Sequence, residues 1–156
     1  MNISIAFYKA RGRRRDRLIR KWTRSPYSHV EILLTDGKSM IGINPPVKNM
    51  VKKSFPTERA LGKDWELVNI SIEKEEEERL MEFISRTMGN KYDWIGMLLS
   101  NLIPFKVKQK NKWYCSEWVL EALVYAQILS TREVSPYSYR GVSPGELFVL
   151  LKGMNY

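Results

Sequence analysis

A single cysteine and a single histidine occur in this chain of 156 residues, and each stands in a setting that chemistry could use. Cys115 follows the run Asn111-Lys112-Trp113-Tyr114 and opens an amphipathic stretch, Cys115-Ser116-Glu117-Trp118-Val119-Leu120-Glu121-Ala122-Leu123. His29 lies in Ser25-Pro26-Tyr27-Ser28-His29-Val30-Glu31-Ile32-Leu33-Leu34, a turn running into a strand. A thiol attacks an acyl carbon as its thiolate, and histidine is the usual base beside it. At the first turn of a helix, Cys115 would feel the positive end of the helix dipole, which favours thiolate over the free thiol of pKa ~8.5. A protonated His29 would then deliver its proton to the leaving group, while backbone amides at the helix start, that of Cys115 included, could hold the oxyanion. Taken one at a time, a lone cysteine is more often a small buried hydrophobe and a lone histidine a structural one. In these flanks the catalytic pairing is the favoured reading.

The elements that must bring the two together can be read from periodicity. Asn2 to Tyr8 alternates as a strand, and Gly12 breaks it. Asp16 to Trp22 is a short helix with its arginines outward, ended at Ser25-Pro26. Ser28 to Thr35 is a strand, Asp36-Gly37 a hairpin turn, and Lys38 to Asn44 the returning partner. Pro45-Pro46 stops that strand, and Val47 to Val51 reads as a short edge strand. Asp64 to Ile72 is a buried strand, and Lys74 to Met88 a helix with an apolar stripe of Leu80, Met81, Ile84 and Met88. Asp93 can cap a helix through Leu102. Cys115 opens the next helix, with Val119, Leu120, Leu123 and Ala126 facing the core. A capping box at Ser143-Pro144-Gly145-Glu146 opens the last, through Leu151. Strands early and helices late make an α+β pattern in a single domain, residues 1–156.

Tyr27-Ser28-His29-Val30-Glu31-Ile32 followed later by Trp113-Tyr114-Cys115-Ser116-Glu117-Trp118-Val119 resembles the circularly permuted branch of the NlpC-type papain-like cysteine hydrolases. Relatives of that branch include bacterial cell-wall peptidases, the lecithin–retinol acyltransferase group and small phage-encoded proteins. In ordinary papain-like enzymes the cysteine helix precedes the histidine strand; here the order is reversed. The Asp36-Gly37 turn and Tyr92-Asp93-x-x-Gly96 match the same style. The resemblance runs from Ile3 to about Tyr125. It implies a permuted papain-like fold, a small antiparallel sheet or half-barrel packed against helices, with Cys115 as nucleophile and His29 as general base.

The chain departs from the family at the residue that orients the imidazole. The family often takes it from the strand after the histidine, where this sequence has the apolar run Met40-Ile41-Gly42-Ile43. Glu31 is a candidate, two residues beyond His29 and so on the same strand face. Asn44 and Ser39 are alternatives. Tyr114 and Tyr27 could donate hydrogen bonds near the oxyanion, and Glu117 reads as a supporting residue, paired with Arg20 or Arg24. Trp22, Trp65, Trp94, Trp113 and Trp118 read as core.

Composition bounds the rest. One cysteine excludes an internal disulfide and a cysteine-rich zinc site, so neither metal nor cofactor is expected. The amino-terminal residues do not form a signal-peptide core, and Trp94 to Phe105 is too interrupted to span a membrane. Synthesis in a cytoplasm is expected, and for a phage-encoded chain action in the host cytoplasm or the virion. The 26 basic and 17 acidic residues give +9, concentrated in Arg11, Arg13, Arg14, Arg15 and Arg17 and in a lysine loop from Lys106 to Lys112. Such a field attracts an anionic polymer, a membrane surface or nucleic acid. The leading expectation is a thiol hydrolase of a peptide or acyl substrate that cleaves an amide bond in cell-wall peptide through an acyl-enzyme. Lipid ester hydrolysis or acyl transfer on the same dyad is the near alternative. The other class is a non-catalytic binding module that uses the basic face.

Overall fold

The computed structural model describes residues 1–43, 51–89, 91–92, 112–113, 115–134 and 142–154. In chain order the elements are β1 (Asn2–Tyr8), α1 (Arg14–Thr23), β2 (His29–Leu33), β3 (Met40–Ile43), β4 (Val51–Ser54), α2 (Glu58–Asp64), β5 (Trp65–Ser71), α3 (Lys74–Thr87), β6 (Lys91–Tyr92), β7 (Lys112–Trp113), α4 (Cys115–Tyr125), α5 (Thr131–Val134) and α6 (Pro144–Gly153). The class is α+β. Five strands form an open antiparallel sheet in the order β4-β3-β2-β1-β5, and β6 and β7 form a separate two-residue parallel pair.

Strand alternation divides the sheet into two unlike faces. Ile3, Ile5, Phe7, Val30, Ile32, Ile41, Ile43, Val51, Val68 and Ile70 are all buried on one face and join the core residues of α3, α4 and α6. The other face carries a smaller cluster, Ala6, Leu33 and Met40 with Leu61 and Trp65 against it. Glu31 lies opposite Ala6 of β1 on this second face, and His29 opposite Tyr8.

The register of β2 and β3 is set by their turn. The Asp36 carboxylate accepts from the backbone N–H of Lys38 (2.9 Å) and of Ser39 (2.7 Å), and from the Ser39 hydroxyl. Those donors pull the Asp36 pKa down to about 2. Gly37 takes the left-handed conformation, φ +65°, that the turn requires. Ile32 then pairs with Ile41 and Leu33 with Met40.

Helix α4 carries Cys115 and is buried nearly all round, from Cys115 through Leu120 and again at Ala122 and Leu123. Such a helix is held by packing on several sides: it meets β2 and β3, α3 and α6. Trp118 is fully buried and rests on Phe83 of α3, ring centroids 5.8 Å apart. Its indole N–H donates to Thr87 Oγ1 at 3.0 Å, and the Thr87 hydroxyl donates to the Phe83 carbonyl at 2.8 Å. Ser116 Oγ donates to the Val142 carbonyl at 2.5 Å, tying the same turn to the approach to α6.

Several elements differ from the sequence reading. The buried stripe of α3 is Leu80, Phe83, Ile84 and Thr87, while Met81 and Met88 are about half exposed. The stripe is centred on Leu80 and Ile84, and Met81 lies a hundred degrees or so off it. The edge strand runs over Val51–Ser54, sharing only Val51 with the expected stretch. The helix α2, capped by Thr57 accepting from the Ala60 N–H at 3.3 Å, buries no residue of its own, so no apolar period marked it. The expected helix after Asp93, and Asp93 to Gly96 of the family-like segment, lie outside the described residues. The capping box of α6 forms as read, with Ser143 N–H on Glu146 Oε2 at 2.7 Å and Glu146 N–H on Ser143 Oγ at 3.2 Å.

Thr87→Val keeps shape but removes the acceptor of the Trp118 indole, leaving a buried N–H unpaired. Urea unfolding should show a loss of about 1–3 kcal/mol, and a change within error would remove this bond from the anchoring of α4.

Candidate active site

Two element beginnings meet here. His29 is the first residue of β2 and Cys115 the first residue of α4, and Cys115 lies close enough to the imidazole to raise its pKa. The Tyr27 ring packs on Phe7 and Phe148, with centroids at 5.4 and 4.6 Å, and its hydroxyl donates to Glu66 Oε2 at 2.8 Å. That hydroxyl is therefore spent on fixing the turn before β2. Burial and the Glu66 carboxylate, which accepts its proton, raise the Tyr27 pKa further. The Ser28 N–H donates to the Tyr8 carbonyl at 3.1 Å, which closes the β1–β2 ladder beside His29.

Glu31 supplies the third group. Its Oε1 lies 2.9 Å from His29 Nε2, with side chains only 3% exposed for Glu31 and 13% for His29. Its Oε2 accepts from Ser54 Oγ of β4 at 3.3 Å. With Nε2 engaged by the carboxylate, Nδ1 is the ring nitrogen available to the Cys115 sulfur. Burial pushes the imidazole pKa down, but the facing Cys115 and the Glu31 carboxylate outweigh it and raise it to about 10. His29 is accordingly held as imidazolium near neutral pH, the form that pairs with a thiolate. Trp65 packs against the imidazole, centroids 6.1 Å apart, and against Tyr8 at 5.1 Å. It is half-buried beside the pair and belongs to the small second-face cluster.

The remaining sequence candidates fall as follows. Ser39 is buried in the β2–β3 turn with its hydroxyl committed to Asp36. Asn44 and Tyr114 lie outside the described residues. Glu117 is buried at the first turn of α4. Arg20, one of its two expected partners, donates instead to the carbonyls of Ala10 and, at 2.7 Å, Arg11. Two contributors escaped the sequence reading: Ser54, which sits two strands from Glu31, and Gly42, whose lack of a side chain lies against it.

A buried thiol and imidazole braced by a carboxylate form the kind of centre that acyl-transferring thiol enzymes use. Among the described residues no group of three or more His, Cys, Asp or Glu side chains could hold a metal ion. No protein-family model matches the chain, and no curated protein sequence matches it. Among solved structures it is similar to the crystal structure of metalloprotein YiiX from Escherichia coli O157:H7 (DUF1105), with a TM-score of 0.58 and 20% identity. The match covers 81% of this chain and 66% of that one, and at this identity it speaks for the fold alone.

The raised imidazole has a stability consequence with a definite sign. Imidazolium is favoured in the folded state, so its contribution is complete below the ordinary value of 6.5 and is lost as pH rises toward 10. The urea midpoint should fall across that window. Because the chain holds a single histidine, its imidazole can be followed alone by NMR. Glu31→Gln should lower its titration by about one to three units, and an unmoved curve would separate Glu31 from His29.

Proposed function

We propose that the protein is a cysteine-dependent hydrolase in which Cys115 is the nucleophile, His29 the general acid and base, and Glu31 the group that holds the imidazole. The observation that carries this reading is the buried contact of Cys115 with an imidazole whose other face is bound by a carboxylate at 2.9 Å. The Cys115 thiolate attacks the acyl carbon, and the tetrahedral oxyanion collapses as His29 protonates the leaving nitrogen or oxygen. The product is a thioester. Neutral His29 then takes a proton from water as the water attacks the thioester, which releases the acid and restores the thiolate–imidazolium pair. Glu31 accepts the Nε2 proton throughout, fixing the ring so that Nδ1 serves the sulfur.

A permuted papain-like arrangement is part of this proposal. Its support is the order of the site, histidine strand before cysteine helix, on an α+β fold with an antiparallel sheet. The neighbouring structure is described as a metalloprotein; the mechanism proposed here is written with this chain's own side chains alone.

For substrate we favour an amide bond in cell-wall peptide, with a lipid ester as the alternative. The exposed face of α1 bears on both. Arg14, Arg17, Leu18 and Lys21 follow one another at helical spacing and are all exposed, with Leu18 at 50%. Arg11 and Arg13 are exposed just before it. That face would retain the enzyme on an anionic polymer or membrane surface. No helix among the described residues is long and apolar enough to cross a membrane.

Purified peptidoglycan and mixed phospholipid vesicles, incubated separately and read by mass spectrometry, should give product from one of them. Cys115→Ala should reduce it by at least a thousandfold, in line with loss of a nucleophile. Iodoacetamide should alkylate native Cys115 well below pH 8, more slowly in His29→Ala. Labelling that needs unfolded protein would end the hydrolase reading and leave a binding role for the basic face.

A further inference from the structure

Glu31 reaches further across the sheet than a strand residue ordinarily can. It is on β2, yet its carboxylate meets Ser54 of β4, with β3 in between. Two strand spacings amount to roughly 9–10 Å, a distance the glutamate can cover only if nothing stands up from the intervening strand. Continuing the pairing of Ile32 with Ile41 and Leu33 with Met40 places Gly42 across from Glu31. A Cβ at Gly42 would lie 2.5 Å from Glu31 Cγ and 3.1 Å from both its Cβ and its carboxyl carbon. None of these atoms is the free end of a flexible side chain, since the carboxylate is held at both oxygens. Gly42 is not in the left-handed region, so the glycine is there for space and not for backbone freedom.

We infer that Gly42 and Ser54 are positioning residues for His29 that act through Glu31: Gly42 leaves the slot on β3 in which the carboxylate lies, and Ser54 holds its far oxygen. The inference deepens the proposed site and rests on the reading of His29 and Cys115 as its reacting pair. Any side chain at position 42 would enter the volume that Glu31 fills and drive its carboxylate off Nε2. The titratable groups facing the imidazole are Cys115 from α4, Glu31 on its own strand and Tyr8 across the ladder on β1. On β4, Lys52 stands opposite Gly42 on the same sheet face. Of these, a change at Gly42 displaces Glu31 directly.

The test is a double-mutant cycle on the full chain, read by NMR titration of its one histidine. Gly42→Ala should lower the imidazole titration by about one unit or more, and Glu31→Ala by at least as much. Added to Glu31→Ala, Gly42→Ala should change nothing further in the titration, because the Cγ and carboxyl carbon it would meet are gone and only the Cβ at 3.1 Å remains. Ser54→Ala should shift the curve the same way by less, and Ser54→Thr, which keeps the hydroxyl, should restore it. The slot is refuted if Gly42→Ala leaves the titration in place while Glu31→Ala lowers it, or if Gly42→Ala acts equally in both backgrounds. Should Gly42→Ala alone fail to fold, the double variant decides: folding like Glu31→Ala supports the slot, and failing as well refutes it. A Ser54→Ala curve that overlays the parent removes Ser54 from the role. All of these readings are made without substrate, whereas the hydrolase assignment stands or falls on Cys115 alkylation and product formation, so the two can fail separately.

Discussion

A carboxylate taken almost wholly out of water must be neutralised where it lies, and most of the local architecture follows from that need. Glu31 is buried on the second sheet face with its side chain 3% exposed. Moving such a charge into protein costs several kcal/mol unless an opposite charge and hydrogen bonds meet it. The imidazolium of His29 provides the charge at 2.9 Å and Ser54 the further hydrogen bond. The dependence is mutual, since the imidazole carries its proton in a buried setting only because Glu31 and Cys115 flank it. Fixing either member therefore fixes the orientation of the other.

The supporting structure holds that pair from three directions. The Asp36 turn sets the register that brings a glycine level with Glu31. The Tyr8–Ser28 backbone bond closes the ladder at His29. The Trp118–Thr87 bond and the packing of α4 on the sheet deliver Cys115 to the imidazole. No one of these contacts is chemical in function, yet an error of an ångström in any of them would reach the sulfur or the ring.

Much of this was legible in the residues themselves. Alternation marked β1, β2 and β5, Asp36-Gly37 marked the hairpin, and Ser143 to Glu146 marked the cap of α6. The period of two also put Glu31 on the face of His29. What sequence could not decide was whether Glu31 or Ser39 reaches the ring. That choice depends on cross-strand volume, namely the missing side chain of Gly42 and a hydroxyl on β4, and neither has a signature along the chain. Gly42 read as part of an apolar run, where a glycine looks like a lost opportunity for packing. The Thr87 anchor was hidden for a similar reason: a threonine near a helix end reads as polar surface until the facing indole is known.

The connector between β1 and β2 has a place of its own in this scheme. The two strands are adjacent and antiparallel, and their ladder ends at Tyr8 and His29, so residues 9–28 leave and re-enter the sheet at nearly the same point. Helix α1 thus forms a bulb on a closed neck, tied by Arg20 to the backbone of Ala10 and Arg11 within the bulb itself. The neck bears on the His29–Cys115 pair, while the bulb carries the exposed arginines. A bulb of different length or charge can be carried on the same neck without re-registering a strand, so the charge carried by α1 can drift independently of the geometry at Cys115 and His29.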